Sequence, residues 1–305
     1  MKEFIRAVCF IGGCLFFIPF IIVYAGGYHS EDLLQKITIQ NEAEKNEAAD
    51  PTFIDKEKLI GILAKEIPYS YEYETVKAQA VIIRTYLGRR MLGIQNKGEL
   101  DGYTQEEMKE LWGENYDSIY KTYEEAAEDT GNEMIFYNNE PIEALYHQSS
   151  GGRTRAAKDV YSVDIPYLQG VQSAGDNITK QVEVKKGEMI AKLKESYPDI
   201  IVDERIIENQ IQIIEKDEAE YIKSIQIGNE IIKGEDFKKL LGLPSSNFKI
   251  FKKENSLIFD IKGAGHGVGL SQNGANELAK TGKTYKDMIN YYYTDVTIEN
   301  YVYKK

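Results

Sequence analysis

The chain has 305 residues and a formal net charge of -12. This length is enough for one large hydrophobic core or two modest ones. The sequence contains no block of basic residues, which argues against nucleic acid as a partner. An anionic wall polymer or membrane surface would repel most of the chain. Recognition must therefore come from a shaped site and not from general charge attraction.

An apolar run of about 19 residues without a charge, residues 7–25, is long enough to cross a bilayer as a helix. Lys2 and Arg6 precede it, which places the N-terminus in the cytoplasm and the remaining chain outside. A cleaved signal peptide is the alternative, because small residues follow the run. Both cysteines, Cys9 and Cys14, lie inside it. We therefore expect an anchor within residues 1–28, a polar tether over 29–51 and a globular part over 52–305.

A helix over residues 70–91 is the clearest predicted element. Its apolar residues recur at steps of three and four, the period of a helix with one buried face: Val76, Ala80, Ile83, Leu87 and Met91. Ser70 follows Pro68 and is the expected N-cap. Glu74 then falls in or just after the first turn, where backbone N–H groups lack partners.

The other predicted elements mix helices and strands without regular alternation. Helical spacing covers residues 53–67 and 103–130, and two strands over 134–137 and 142–147 flank a turn at 138–140. Residues 181–248 indicate strands and a short helix, residues 257–261 a strand, and a helix opens near residue 271. The sequence predicts an α+β fold, a mixed helical and antiparallel-strand domain with a smaller inserted subdomain at 181–250.

Three distant segments carry polar groups in settings that otherwise read as buried. They are the helix around Glu74, the Ser149–Gly152 stretch after His147, and the glycine loop that contains His266. The second could be an ordinary tight turn, and a dinucleotide-binding interpretation of the third fails because GxGxxG is incomplete and too little chain follows. We expect the three segments to converge on one cleft.

At these segments the sequence resembles a known family. ETVKAQAVIIRTY, then YHQSSGGRT with DVYSVDIPYL, then GAGHGVGLSQNGA before NYYYTDVTI resemble the stage II sporulation protein D family of lytic transglycosylases. The resemblance implies cleavage of peptidoglycan glycan strands during spore engulfment, after an amidase has removed the stem peptides. It also implies two partners, the amidase stage II sporulation protein P and the scaffold stage II sporulation protein M, in the space between mother cell and forespore.

The resemblance assigns the catalytic acid to Glu74. One carboxyl group is enough because the 6-hydroxyl of muramic acid acts as the internal nucleophile, whereas hydrolases usually need two carboxylates. Glu74 must then hold a proton, so burial has to outweigh the helix N-terminus and Lys77. The resemblance also implies residues that bind sugar or brace the cleft: Lys77, Gln79, Arg84, His147, Ser149, Ser150, Tyr167, His266, Ser271 and Gln272.

We expect no cofactor. Some members of the family hold a metal partly through cysteines near the SGG segment, but this chain has no cysteine beyond residue 14. Two alternatives stay open at this point. A metal-dependent peptidoglycan amidase would need clustered ligands, which the shortage of His and Cys disfavours. A non-catalytic glycan-binding or assembly protein would bind strands without producing new chain ends.

Overall fold

The computed structural model describes residues 54–94 and 100–301. Its α-helices are α1 Lys56–Glu66, α2 Tyr73–Met91, α3 Gln105–Trp112, α4 Tyr116–Asp129, α5 Ala157–Tyr161, α6 Lys186–Ser196, α7 Gly234–Leu241, α8 Gln272–Lys280 and α9 Tyr285–Tyr292. Its strands are β1 Glu133–Tyr137, β2 Glu140–Pro141, β3 Tyr146–His147, β4 Thr179–Lys185, β5 Ile211–Lys216, β6 Ile222–Ile227, β7 Glu230–Lys233, β8 Phe248–Lys252, β9 Ser256–Lys262, β10 Leu270–Ser271 and β11 Thr297–Asn300.

Helix α2 lies between two hydrophobic clusters. Val76, Ala80 and Ile83 pack with α1, α3 and α4, as the periodicity predicts. Ala78, Val81 and Ile82 lie on the opposite side, in a second cluster with β1, β10 and α9. A helix covered on both sides can hold polar side chains only where they find partners.

The start of α2 differs from the predicted one. The helix begins at Tyr73 with Glu72 at the N-cap, and Ser70 lies before it. The Tyr71 N–H donates to the Pro68 carbonyl, so the turn after the proline continues through Ser70. Asn276 of α8 accepts the backbone N–H of Glu72 at 2.7 Å. The first residues of α2 are thus held by another helix and not by a local side-chain cap.

The predicted hairpin after α4 is only partly formed. Asn138 and Asn139 have positive φ values and turn the chain between β1 and β2, as expected. The predicted second strand over residues 142–147 is wrong in extent, because the segment leaves β1 after Ile142, whose N–H donates to the Ile135 carbonyl at 3.0 Å. Its end, β3, pairs in parallel with β10 instead.

Residues 179–262 form what we call the inserted sheet unit. Strands β4, β9 and β8 make one antiparallel sheet, and β5, β6 and β7 make another. Both sheets pack with α6 and α7 around a third cluster that includes Phe237, Phe248 and Phe259. Leu257 and Ile261 also belong to this cluster, so its core continues past residue 250.

The structure is a mixed α+β fold with helices and small, mostly antiparallel sheets, as the sequence predicts. Within residues 54–94 and 100–301, no helix combines the length and the apolar character needed to cross a membrane. The predicted anchor at residues 7–25 and the tether lie outside the described residues.

Candidate functional site

A buried carboxylate joins two of the three predicted segments. Asp176 is fully buried. It accepts hydrogen bonds from Ser149 Oγ and Ser150 Oγ at 2.5 Å, Ser271 Oγ at 2.6 Å and Asn273 Nδ2 at 3.1 Å. The backbone N–H of Ser150 adds a fifth bond at 2.7 Å. We call these five residues the Asp176 cluster.

The charge of Asp176 is stabilised by its neighbours. Burial alone would raise its pKa, but the hydroxyls of Ser149, Ser150 and Ser271 and the Ser150 amide more than offset burial and hold the pKa of Asp176 below its usual value. Asp176 is therefore an ionised anchor that fixes the serine segment against the start of α8.

Backbone pairing brings the two histidine segments together. His147 in β3 lies opposite Ser271 in β10, and Ser149 and Ala264 exchange backbone hydrogen bonds at 3.0 and 2.7 Å. Gly265 has a φ of 109°, and a Cβ at this position would lie 2.7 Å from the Cβ of His147. Only glycine allows this approach, which explains why the loop is glycine-rich on both sides of His266.

The two imidazoles are neighbours, with ring centroids 5.6 Å apart. His147 Nδ1 lies 3.1 Å from the Val268 carbonyl and donates to it, which leaves Nε2 buried and without a partner. His266 Nδ1 accepts the N–H of Val268 at 3.1 Å. Burial is the main cause that lowers the pKa of His147 to about 3 and that of His266 to about 4. Both rings are neutral at physiological pH.

Two predicted glutamines connect the helical region to this cluster. Gln272 Nε2 donates to the Glu66 carbonyl at 2.8 Å and to Gln79 Oε1 at 3.2 Å. Gln79 is fully buried, and its own Nε2 has no partner. Tyr146 OH donates to Glu66 Oε2 at 2.7 Å and completes the link between α1, α2 and β3.

Glu74 lies at the start of α2 and contacts a different part of the molecule. One carboxylate oxygen pairs with Lys77, and the other accepts the N–H of Tyr285 at 2.8 Å. The Glu74 side chain is 31% exposed and that of Lys77 13%. The Lys77 ammonium lies 5.2 Å from the ring of Tyr73 and 5.0 Å from that of Tyr285, so two aromatic rings hold the cation in place.

The structure does not bring every predicted residue together. In the part of the chain that it describes, no hydrogen bond or ion pair joins Glu74 to His147 or His266. Asn276 of α8, whose first turn enters the Asp176 cluster, reaches Glu72, two residues before Glu74. Helix α8 therefore connects the start of α2 to the Asp176 cluster, but Glu74 and the histidines do not share one set of contacts.

Arg84 and Tyr167 make their contacts within the fold around α2 and β1. Arg84 is buried and donates to the carbonyls of Glu133 and Ala127 and to Thr130, so it ties the end of α4 to α2. Tyr167 accepts the Glu143 N–H at 3.1 Å through its hydroxyl, and its ring packs against Tyr137. Both positions follow from the demand of buried polar groups for partners.

Sequence reasoning missed Asp176. Its sequence setting, SAGDN, is that of an ordinary turn, and nothing in a single sequence separates an anchor from a turn aspartate. The sequence offered one indirect indication of such a residue: Ser149, Ser150 and Ser271 lie in segments predicted to be buried, and buried hydroxyls need hydrogen-bond acceptors.

The side chains around His147 do not fit a cysteine-held metal ion. The one unpartnered ligand atom described beside the serine segment is Nε2 of His147, and both cysteines of the chain are near the N-terminus. Over residues 54–94 and 100–301, no three His, Cys, Asp or Glu side chains are grouped so as to hold a metal.

Comparison with known proteins gives consistent matches. Residues 55–137 match the SpoIID family model, described as Stage II sporulation protein. The chain is 30% identical over 269 residues to Stage II sporulation protein D of Bacillus subtilis (strain 168), a match that covers 82% of this chain and 78% of the relative. It is 29% identical over 255 residues to Stage II sporulation protein D of Bacillus amyloliquefaciens, covering 80% and 73%.

A more distant match covers a smaller share of its relative. The chain is 24% identical over 298 residues to the Amidase enhancer of Bacillus subtilis (strain 168), across 80% of this chain and 40% of that protein. By its family match and its identity to relatives over most of its length, the chain belongs to the SpoIID family of stage II sporulation proteins.

Proposed function

We propose that this protein is a lytic transglycosylase that cleaves peptide-free glycan strands of peptidoglycan, with Glu74 as the catalytic acid and base. The observation that carries the proposal is the position of Glu74. Its carboxylate is partly exposed at a helix start, beside a clamped cation, and it belongs to no buried structural network.

The reaction needs one carboxyl group. Glu74 protonates the glycosidic oxygen as the bond to C1 of the muramic acid residue breaks, and the 6-hydroxyl of the same residue then attacks C1 and returns its proton to Glu74. The products are a new 4-hydroxyl end and a 1,6-anhydro end, and no water is consumed. In the described arrangement Glu74 is 31% exposed and its oxygens accept from Lys77 and from the Tyr285 N–H, so the burial expected to keep its proton is not present. Bound substrate has to supply that burial by covering the carboxylate and drawing it away from Lys77.

The neighbouring cluster supplies groups suited to sugar hydroxyls. His147 Nε2 and Gln79 Nε2 are buried polar atoms without partners, one an acceptor and one a donor. Both atoms are closed off from solvent in the described arrangement, so a sugar hydroxyl does not reach them there. We therefore assign glycan contact to the partly exposed His266, and support of its loop to the buried side chains of His147, Gln79, Gln272, Ser149, Ser150 and Ser271.

The cellular setting follows the same proposal. We propose that residues 7–25 anchor the protein in the membrane with the catalytic part outside, where it acts during engulfment. The expected partners are stage II sporulation protein P, which removes the stem peptides, and stage II sporulation protein M, which holds the complex at the membrane.

The test is product analysis on peptide-free glycan by mass spectrometry. We expect the unaltered protein to produce 1,6-anhydro ends and Glu74→Gln to lose at least about 100-fold in rate, since a positioned acid–base group contributes about 10²–10⁴. Glu72→Gln is the matched control, because Glu72 is exposed and two residues away. Full cleavage by a folded Glu74→Gln variant would contradict the assignment.

The same assay distinguishes the alternatives. Glycan binding that is equal in the unaltered protein and in Glu74→Gln, with no new chain ends in either, would indicate a binding protein. Chelator-sensitive release of stem peptides would indicate an amidase.

A further inference from the structure

A buried arginine outside the proposed glycan contacts connects the inserted sheet unit to the rest of the protein. Arg155 is 1% exposed. Its Nε lies 2.6 Å from Asp217, its Nη1 lies 2.5 Å from Glu235, and its guanidinium stacks over the Tyr221 ring at 4.6 Å. All three partners belong to the inserted sheet unit, so the charge of Arg155 is neutralised there.

The same arginine and a nearby lysine hold the backbone around His266. Three successive carbonyls accept hydrogen bonds: Gly265 from Lys238 Nζ at 3.0 Å, His266 from Arg155 Nη1 at 3.2 Å, and Gly267 from the Arg155 N–H at 2.7 Å. Gly267 has a φ of 82°, and a Cβ there would lie 2.7 Å from Arg155 Cδ. The loop is therefore shaped around the arginine.

The cations themselves are fixed by shared acceptors. Glu235 pairs with Lys238 at 3.2 Å as well as with Arg155, and it accepts Ser246 Oγ at 2.7 Å. Asp217 accepts the backbone N–H groups of Ala219 and Tyr221 at 3.0 Å. Tyr221 OH in turn donates to the Ser150 carbonyl at 3.0 Å. One network thus reaches both histidine segments from the inserted sheet unit.

We propose that the inserted sheet unit braces the His266 loop through Arg155 and Lys238, which act as positioning residues for the glycan contact of His266. The glycan contact rests on the proposed function, whereas the brace can be tested without it. Arg155→Met is a poor test because it leaves Asp217 and Glu235 without their buried partner and is expected to unfold. Lys238, on the edge of the network, can be changed more gently.

The first measurement is the nuclear magnetic resonance of His266 in the full-length protein in detergent micelles. The chain has three histidines, so single substitutions assign their ring signals. The charged or titratable groups facing His266 are Lys238 and Glu235 from α7, Arg155, and His147 from β3. Lys238→Gln removes a cation that, after burial, lowers the pKa of His266, so we expect that pKa to rise by roughly 0.5 to 1 unit.

A change of pKa alone would show only an altered electric field. The backbone amide of Val268, which donates to His266 Nδ1, reports the geometry of the loop. We expect its signal to move in Lys238→Gln and to return in Lys238→Arg, which keeps the charge and a donor. Lys239→Gln is the matched control, since Lys239 is exposed on the same helix and its loss changes the net charge equally.

The second measurement is cleavage of peptide-free glycan by Lys238→Gln. We expect KM to rise about three- to tenfold with a smaller change in kcat, because the brace positions a binding group and not the acid. An unmoved Val268 amide in Lys238→Gln, or an equal movement in Lys239→Gln, would overturn the brace. Absence of cleavage by the unaltered protein would contradict the proposed function instead, and the Val268 signal would still decide the brace.

Discussion

Two carboxylates, Asp176 and Glu74, lie in neighbouring regions and differ in burial and in the number of hydrogen bonds that they accept. Asp176 is fully buried and takes five hydrogen bonds from the residues of its cluster. Glu74 is about one-third exposed and has two partners, Lys77 and the Tyr285 N–H. A buried carboxylate whose acceptor sites are all occupied holds structure, whereas a partly exposed one can be reached by a ligand and exchange a proton with it.

The largest expected effect comes from removing the buried member of the pair. Asp176→Ala leaves five donors without their acceptor: the hydroxyls of Ser149, Ser150 and Ser271, the Ser150 N–H and the Asn273 amide. We expect the free energy of unfolding to fall by about 3–5 kcal/mol, because each buried polar group left unpaired costs about 1–3 kcal/mol. Urea unfolding measures it. Asp164→Ala, at an exposed aspartate, is the control and should change stability by less than about 0.5 kcal/mol. An equal loss of unfolding free energy in Asp176→Ala and Asp164→Ala would contradict the structural role of Asp176.

The buried region should also be the acid-sensitive one. The pKa values of His147 and His266 are lowered to about 3 and about 4, below the value of about 6.5 in an unfolded chain. Between pH 6.5 and the folded-state pKa values, the unfolded state binds more protons than the folded state. The stability that the two neutral histidines contribute is therefore fully present above pH 6.5 and is lost as the pH falls. We expect a loss of about 3 kcal/mol between pH 6.5 and pH 5 from the two groups.

The variant His266→Asn tests this origin. It removes one of the two titrating groups, so the pH dependence over that interval should fall by about half, whatever the effect on absolute stability. Unfolding curves measured at several pH values give the slope. An unchanged slope would place the acid sensitivity elsewhere.

A single donor of the Asp176 cluster should have a smaller effect. Ser271 donates to Asp176 and also accepts the Gly274 N–H as the N-cap of α8. We expect Ser271→Ala to lower the free energy of unfolding by about 1–2 kcal/mol. Ser118→Ala, at an exposed serine in α4, is the control and should lie within about 0.5 kcal/mol of the unaltered protein.

The smallest effect on stability is expected at Glu74. Its ion pair with Lys77 is partly exposed, so Glu74→Gln should change the free energy of unfolding by less than about 1 kcal/mol. Thermal unfolding next to the glycan assay separates the two roles. A large loss of stability would mean that Glu74 is a structural residue like Asp176.

Much of the fold followed from the sequence because it depends on local patterns. The apolar steps in α2, the turn at Asn138 and Asn139 and the start of α8 near residue 271 could each be predicted from neighbouring residues. The serine segment and the His266 loop were also expected to meet, and they do so through β3 and β10.

What the sequence could not indicate depends on residues far apart in the chain. Arg84 was predicted to line or brace the cleft, and its partners are the carbonyls of Ala127 at the end of α4 and of Glu133 at the start of β1. Asp176 gains its importance from serines on both sides of the inserted sheet unit. The pairing of Glu74 with the N–H of Tyr285 joins residues about 210 positions apart. Nothing within either segment of such a pair specifies the other.

The pairing of β4 with β9 affects the order in which the molecule can assemble. Ser149 and Ala264 are about 115 residues apart along the chain, yet Thr179 and Lys262 are partners in the antiparallel ladder. Once this ladder forms, the stretch that must close to join Ser149 to Ala264 shortens to about 30 residues, which lowers its entropic cost by about 1 kcal/mol. We therefore expect residues 179–262 to fold early, and the histidine segments to meet afterwards.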